Sequence, residues 1–163
     1  AMSPLASREP GMVGAALDSP HVWAGLIADG IHVHAAALRL SHRAKAAPGR
    51  LFLVTDAMAV TGSDLKQISL NGRTITRAGG ALRLADGTLA GADLTMIDAV
   101  RFMHETVGVP LDEALRMAAL YPAQAVGQDT HHGHLGPGAR ADMVHLGPGL
   151  SVEGVWISGR RSV

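Results

Sequence analysis

Asp56 is the acidic residue whose position most clearly suggests chemistry. It follows the run Leu51-Phe-Leu-Val-Thr, which is apolar and β-branched and is typical of a buried parallel strand. Catalytic groups in α/β proteins commonly lie at the C-terminal ends of such strands. Asp56 could equally cap the following turn, since Asp often bonds nearby backbone amides. The segment by itself leaves both roles open.

His32 and His34 are a second pair of candidates, separated by one residue. In an extended segment their imidazoles would share one face, because side chains alternate with period two. Catalytic zinc usually has three protein ligands, and the spacing identifies no third. Metal ligation therefore competes with a substrate-contacting or structural role for this pair.

Two further polar segments carry possible ligands. Arg8 lies in the loop Ser7-Arg-Glu-Pro-Gly11, where its planar guanidinium could bind an anion or simply be exposed to solvent. The tract His131-His-Gly-His134 lies between an expected helix end and a Gly-Pro turn, which favours a solvated loop over a metal site.

The elements around these residues predict where they meet. Residues 22–33 form an apolar strand interrupted by Asp29-Gly30, a turn signal, and residues 35–47 have helical composition. The strand that ends at Asp56 follows. A crossover of this length makes the two strands parallel neighbours, so we expect His32 and Asp56 at the same end of one sheet.

The rest of the chain alternates hairpins and helices. Asn71-Gly72 is a strong two-residue hairpin signal. Asp93 is expected to cap the next helix, and Gly91 before it permits close approach of a ligand or of another strand. Further helices are expected from Pro110 and from about Pro122 to Gly127.

The tail, residues 136–159, reads as two short strands separated by a Gly/Pro turn. Because two strands alone are only marginally stable, we expect them to join the hairpin near Asn71 in one accessory sheet.

Composition excludes several classes of protein. The 163 residues are 47% hydrophobic, which is ample for a core, and the 14 basic and 14 acidic residues give no electrostatic footprint for nucleic acid. Cysteine is absent, which suits a cytoplasmic protein, and neither a membrane span nor a signal peptide is expected. The sequence has no phosphate-loop or Gly-x-Ser-x-Gly motif. Ala1 in place of an initiating Met suggests a natural start further upstream.

Several motifs together resemble the N-acetylglucosamine-6-phosphate deacetylases of the amidohydrolase superfamily, in order and along nearly the whole chain. They are Ala1-Met, Ser7-Arg-Glu-Pro-Gly11, Ile27-Ala-Asp-Gly-Ile-His32-Val, Leu53-Val-Thr-Asp56-Ala, Leu89-Ala-Gly91 with Leu94-Thr-Met, and Leu120-Tyr-Pro-Ala. The resemblance implies an α/β fold that is the C-terminal part of a (β/α)8 TIM-like barrel with a small accessory β-sheet.

The resemblance also implies the reaction, which is metal-dependent hydrolysis of N-acetyl-D-glucosamine 6-phosphate to D-glucosamine 6-phosphate and acetate in amino-sugar catabolism. The family's divalent metal, zinc or a similar ion, is held by a glutamate and two histidines on strands that would precede Ala1. This chain alone is therefore expected to bind no metal.

Individual roles follow from the matched positions. Asp56 resembles the general base and acid, which takes a proton from water at the metal and later protonates the leaving amine. His32 resembles the substrate-binding histidine. Arg8 resembles the arginine that holds the sugar phosphate, and it is expected to complete a site across a homodimer interface. Ala1 and the backbone of Leu89, Ala90 and Gly91 correspond to further substrate contacts.

The expected organisation has four parts. Residues 1–61 hold the last barrel strands, a helix and the substrate loop, and 62–88 form a β-hairpin excursion. Residues 89–135 hold the C-terminal barrel helices, and 136–163 the accessory strands.

Two functions stay open at this point. The chain is either an incomplete deacetylase that is inactive alone, or a non-catalytic module that binds sugar phosphates or pairs with a partner chain. A related amidohydrolase acting on another amide is disfavoured, because an uncharged substrate has little use for the arginine loop.

Overall fold

The computed structural model describes residues 2–163 as an α/β arrangement with three separate sheets. The helices are α1 (Gly11–Asp18), α2 (Ala35–Ala44), α3 (Met96–Arg101), α4 (Leu111–Ala118) and α5 (Leu120–Ala125). The strands are β1 (Ala24–Ile27), β2 (Leu51–Val54), β3 (Gln67–Leu70), β4 (Arg73–Ala78), β5 (Ala81–Arg83), β6 (Leu89–Ala92), β7 (Met143–Leu146), β8 (Val152–Ile157) and β9 (Arg160–Arg161).

β1 and β2 form a two-stranded parallel sheet joined by α2, as the crossover argument predicted. Ala24 pairs with Leu51 and Ile27 with Val54, so both strands end at the same edge. Leu51 and Leu53 are buried, and α2 contributes the fully buried Leu38 to the same core. Within the described residues, β1 and β2 pair only with each other, so the outer edge of each strand is open.

Helices α3, α4 and α5 pack beside β2 and supply much of the main core. Met117 of α4 is fully buried in this core together with Leu53 and with Met103, which follows α3. A π-helical turn, Phe102–Val107, links α3 to the loop before α4. Gly108, with φ of 86°, ends it in the left-handed conformation that glycine adopts readily.

The predicted capping role of Asp93 is wrong. Residues 89–92 are strand β6, and α3 begins two residues later than expected, where the Thr95 side chain accepts from the Asp98 amide. Asp93 instead forms an ion pair with Arg77, whose Nε lies 3.0 Å from its Oδ2. The carboxylate therefore ties β6 to β4 instead of starting the helix.

Strands β3 to β6 form an antiparallel sheet in chain order. The predicted hairpin is confirmed: Asn71 and Gly72 have φ of 50° and 73° between β3 and β4, as a type I′ turn requires. The sheet has its own small core of Val60, Ile75 and Leu82.

The C-terminal strands β7, β8 and β9 form a third sheet, so the prediction that they join the hairpin near Asn71 is wrong. Their apolar side faces α3, α4 and α5, and together these elements line a groove of about 690 Å³. Arg101 in α3 also donates to the Leu150 carbonyl at 3.3 Å. The sheet is thus placed against the helices, where its apolar face can be partly covered.

None of the helices in residues 2–163 has both the length and the apolar character needed to cross a membrane.

Candidate functional site

The loop after β1 is organised by Asp29. Its Oδ1 accepts from the backbone amides of Ile31 at 2.9 Å and His32 at 2.8 Å. Gly30 turns the chain with φ of 74°, and a Cβ there would lie 2.8 Å from the ring of Phe102. The tight turn therefore requires glycine and is held against the π-helical segment.

The same carboxylate holds the imidazole of His32. Asp29 Oδ2 lies 2.6 Å from His32 Nδ1, and the two side chains are only 4% and 14% exposed. Burial raises the pKa of Asp29, but the hydrogen bonds from the His32 ring and the two amides outweigh it and keep that pKa below its ordinary value. Asp29 is therefore ionised at neutral pH.

His32 and Asp56 meet at one end of the parallel sheet, as predicted. His32 Nε2 lies 3.9 Å from Asp56 Oδ2, and the Asp56 side chain is 51% exposed. The distance is too long for a direct hydrogen bond, so both groups can still bind a ligand. An accessible carboxylate beside an oriented imidazole is suited to proton transfer and polar recognition.

Asp56 does not act as the turn cap that the sequence left open. Among the described residues its carboxylate accepts no backbone hydrogen bond, whereas Thr55 Oγ1 accepts from the Ala57 amide at 3.3 Å. Asp56 also has φ of 53°, a left-handed conformation that is uncommon outside glycine. This backbone conformation is strained, a property that often accompanies functional residues.

The C-terminal end of strand β6, which follows Leu89 and Ala90 with Gly91 and Ala92, lies beside Asp56. The Ala92 amide donates to the Asp56 carbonyl at 2.9 Å, and Ala57 and Ala92 form a parallel bridge. Gly91 has φ of 153°, and a Cβ there would lie 2.7 Å from Met58 Cγ and 3.2 Å from the Asp56 carbonyl oxygen. One of the two partners predicted for Gly91, a neighbouring stretch of backbone, is therefore present.

Arg77 braces the loop that follows Asp56. Its guanidinium donates to the Ser63 carbonyl at 2.7 Å, to the Val60 carbonyl, and to Asp93 Oδ1 at 3.1 Å. Three parts of the chain are thereby tied together: the loop after Asp56, strand β4 and the end of β6. The backbone position of Asp56 is fixed by this surrounding frame.

Arg8 is not bonded to the other candidates within residues 2–163. It lies exposed in the N-terminal loop, which is attached to α1 by the Met12 amide donating to Ser3 Oγ at 2.8 Å. Within residues 2–163 its guanidinium forms no hydrogen bond or ion pair. Ala1, the other N-terminal candidate, lies outside the described residues.

The described part of the chain has no group of three or more His, Cys, Asp or Glu side chains that could hold a metal ion. His34 has a structural role instead, because its Nδ1 accepts from the Ala36 amide at 3.2 Å and caps α2. In the other histidine tract, His134 Nδ1 accepts from the Gly136 amide at 3.0 Å within a loop. The residues present do not fit a catalytic metal by themselves.

Asp29 is the site residue that sequence reasoning missed, because Asp29-Gly30 was read only as a turn. The available signal was the spacing of Asp29 and His32. An Asp three residues before a His, with a glycine between them, can accept from the loop amides and the imidazole at once.

The chain matches the family model described as "Amidohydrolase family" over residues 12–161. It belongs to the amidohydrolase family. Members of this family are hydrolases, and the resemblance seen in the motifs is confirmed.

Relatives of this amidohydrolase carry sugar-phosphate deacetylase names. The N-acetylgalactosamine-6-phosphate deacetylase of Escherichia coli O157:H7 is 45% identical over 98% of this chain and 42% of that protein. A protein of Escherichia coli (strain K12), provisionally given the same name, is also 45% identical and is covered over 94% of its length.

A solved structure of a deacetylase is also similar to this chain over part of its length. The N-acetylglucosamine-6-phosphate deacetylase from Pasteurella multocida superposes with a TM-score of 0.93 at 38% identity, over 99% of this chain and 42% of that one. This amidohydrolase thus spans about two fifths of the longer relatives and nearly all of the strain K12 protein.

Proposed function

We propose that this amidohydrolase supplies the acid–base and substrate-contact part of an N-acetylhexosamine 6-phosphate deacetylase. The reaction is hydrolysis of N-acetyl-D-glucosamine 6-phosphate to D-glucosamine 6-phosphate and acetate. The observation that supports this proposal is the convergence of Asp56, His32 and the Gly91 strand at the open end of the parallel sheet. In this proposal β1 and β2 are two strands of a larger parallel barrel.

Asp56 is the proposed proton carrier. As water attacks the acetyl carbonyl, the carboxylate accepts a proton from that water, and a C–O bond forms. It then donates the proton to the amide nitrogen as the C–N bond breaks, releasing acetate and the free amine. Its exposed side chain is accessible to both water and substrate, as this double role requires.

The remaining candidates bind the sugar phosphate in this proposal. His32 presents Nε2 to the substrate, and the β6 backbone at Leu89, Ala90 and Gly91 borders it. Arg8 binds the phosphate through charge-assisted hydrogen bonds. Because Arg8 forms no hydrogen bond or ion pair with Asp56 or His32 within residues 2–163, we propose that it serves the site of a second copy in a homodimer.

The metal is the part that this chain does not provide. Because residues 2–163 hold no suitable ligand group, we propose that a divalent cation is bound by polypeptide outside this chain. The isolated chain is then expected to release no acetate.

The test joins the chain to the missing part. The N-terminal region of the Escherichia coli O157:H7 relative is fused before Ala1. Acetate release is then measured with two epimeric substrates, N-acetylglucosamine 6-phosphate and N-acetylgalactosamine 6-phosphate. Both are used because relatives are named for each. We expect acetate release, and a fall of about 10³-fold in kcat for Asp56→Asn.

Asp64→Asn is the matched control, since it removes another exposed carboxylate from the loop just after the site. It should leave acetate release unchanged. A folded, metal-loaded fusion that cleaves neither epimer, or an Asp56→Asn variant with full activity, would contradict the proposal.

The length of the strain K12 relative favours a second candidate, because 94% of that protein is covered by this chain. The chain would then act as a non-catalytic sugar-phosphate-binding or partner-pairing module. Calorimetric titration of the isolated chain with the sugar phosphate tests binding. Saturation that is lost in Arg8→Ala but kept in Arg43→Ala supports the binding module, and no heat of binding counts against it.

A further inference from the structure

We propose that Asp29 is a positioning residue that sets which imidazole nitrogen of His32 carries the proton and which one faces the substrate. The role of Nε2 as the substrate-facing atom rests on the proposed deacetylase function. The orientation of the ring by Asp29 rests on the geometry of the described loop alone.

The hydrogen bond between Asp29 and His32 can run in only one direction. A carboxylate without a proton can only accept, so at 2.6 Å from Asp29 Oδ2 the Nδ1 atom of His32 must be the donor. A neutral imidazole carries one N–H, which places its lone pair on Nε2. Nε2 is the atom on the Asp56 side of the ring.

Asp29 is held as an ionised acceptor by its other bonds. Its Oδ1 accepts from the Ile31 and His32 amides, so three donors converge on one side chain that is 4% exposed. These donors lower the pKa of Asp29 against the effect of burial. The carboxylate is therefore committed to the loop and to the imidazole.

The Asp29 loop is closely packed against the π-helical turn. Gly30 lies against the ring of Phe102, and any side chain at Gly30 would clash there. Phe102 begins the π-helical turn, an irregularity that is frequent at functional sites. The packing behind Asp29 therefore keeps the imidazole in place before a ligand arrives.

Pre-orientation has a direct consequence for binding. With Nδ1 occupied by Asp29, a ligand can be recognised only through Nε2, and the ring pays no reorientation entropy on binding. Nε2 is 3.9 Å from Asp56 Oδ2, so no internal hydrogen bond must break first.

Imidazole ¹⁵N NMR of the isolated, uniformly labelled chain tests the orientation without any enzyme assay. At an alkaline pH where imidazoles are neutral, wild-type His32 should show a protonated Nδ1 and a bare Nε2. Asp29→Asn should reverse this tautomer, because its amide can still accept from the loop while its NH₂ group donates to Nδ1. Asp56→Asn should keep the wild-type tautomer.

A wild-type chain with the proton on Nε2 would overturn the proposal, and this measurement does not depend on any variant folding. An Asp29→Asn chain that keeps the amide dispersion of a folded protein and the wild-type tautomer would also overturn it.

The catalytic readout uses the active fusion described above. We expect Asp29→Asn to raise KM for the sugar phosphate about tenfold, the equivalent of one lost good hydrogen bond, with a smaller fall in kcat. A reversed tautomer with unchanged KM would refute the substrate-facing role of Nε2. An inactive wild-type fusion with the expected tautomer would instead refute the deacetylase proposal and leave the orientation by Asp29 standing.

Discussion

The loops after β1 and β2 begin at the same edge of one sheet, yet they hold their functional side chains in opposite ways. After β1, Asp29 and His32 are fixed by side-chain hydrogen bonds and are largely buried. After β2, the backbone of Asp56 is fixed by the β6 bridge, while its carboxylate is half exposed. A group that recognises a ligand benefits from a fixed side chain, whereas a group that moves protons needs access to them.

The strongest way to disturb the second loop is through its backbone. Gly91→Ala should lower the free energy of unfolding by about 3 kcal/mol, because a Cβ at φ of 153° meets both Met58 and the Asp56 carbonyl oxygen. Urea unfolding of the chain measures the loss.

Gly87→Ala is the matched control for that experiment. Gly87 also has a positive φ, 85°, but a Cβ there meets nothing within 4 Å. It should lose only about 1 kcal/mol, the conformational part. Equal losses at the two positions would show that the contact between β6 and the Asp56 loop contributes nothing.

The two carboxylates should differ in their contribution to stability. Asp29→Asn replaces the charge-assisted hydrogen bonds of a buried carboxylate by neutral ones and should lower the free energy of unfolding by about 2 kcal/mol. Asp56→Asn should change it by less than about 0.5 kcal/mol, because the side chain is exposed and Asn tolerates the left-handed conformation. Similar losses in both variants would erase the contrast between the loops.

Acid should weaken the first loop selectively. The pKa of Asp29 is lower in the folded chain than its ordinary value of 3.8, so its ionised form stabilises the fold above that value. This contribution should disappear as the pH falls through the lower, folded pKa. The stability gap between wild type and Asp29→Asn, followed by urea unfolding at stepwise lower pH, should close there. A stability difference that widens on acidification would contradict the prediction that ionised Asp29 stabilises the fold.

Much of the site edge was predictable from local patterns. The alternation of apolar strand and helix before Asp56 predicted parallel strands, and with them the meeting of His32 and Asp56. The Asn71-Gly72 hairpin was equally clear, because its turn type depends on two adjacent residues.

The errors arose where distant residues decide local structure. Asp93 is a residue type that commonly caps helices, but its carboxylate accepts a hydrogen bond from Arg77, which lies 16 residues earlier. Thr95 caps the helix instead. Strands β7, β8 and β9 form their own sheet against the apolar face of α3, α4 and α5. The spacing of apolar residues within the tail does not reveal this packing partner. The role of Arg8 stays a prediction, since it depends on a second copy of the chain.

The open edges of β1 and β2 have a practical consequence for anyone preparing this protein. Each outer edge presents unpaired backbone N–H and C=O groups, and such edges template pairing with another chain. Self-association should therefore compete with folding at high concentration, and a short peptide that adds a parallel strand along either edge would act as a stabilising additive. Along β2, its side chains would have to suit a strand in which Leu51 and Leu53 are buried and Phe52 and Val54 are half-buried.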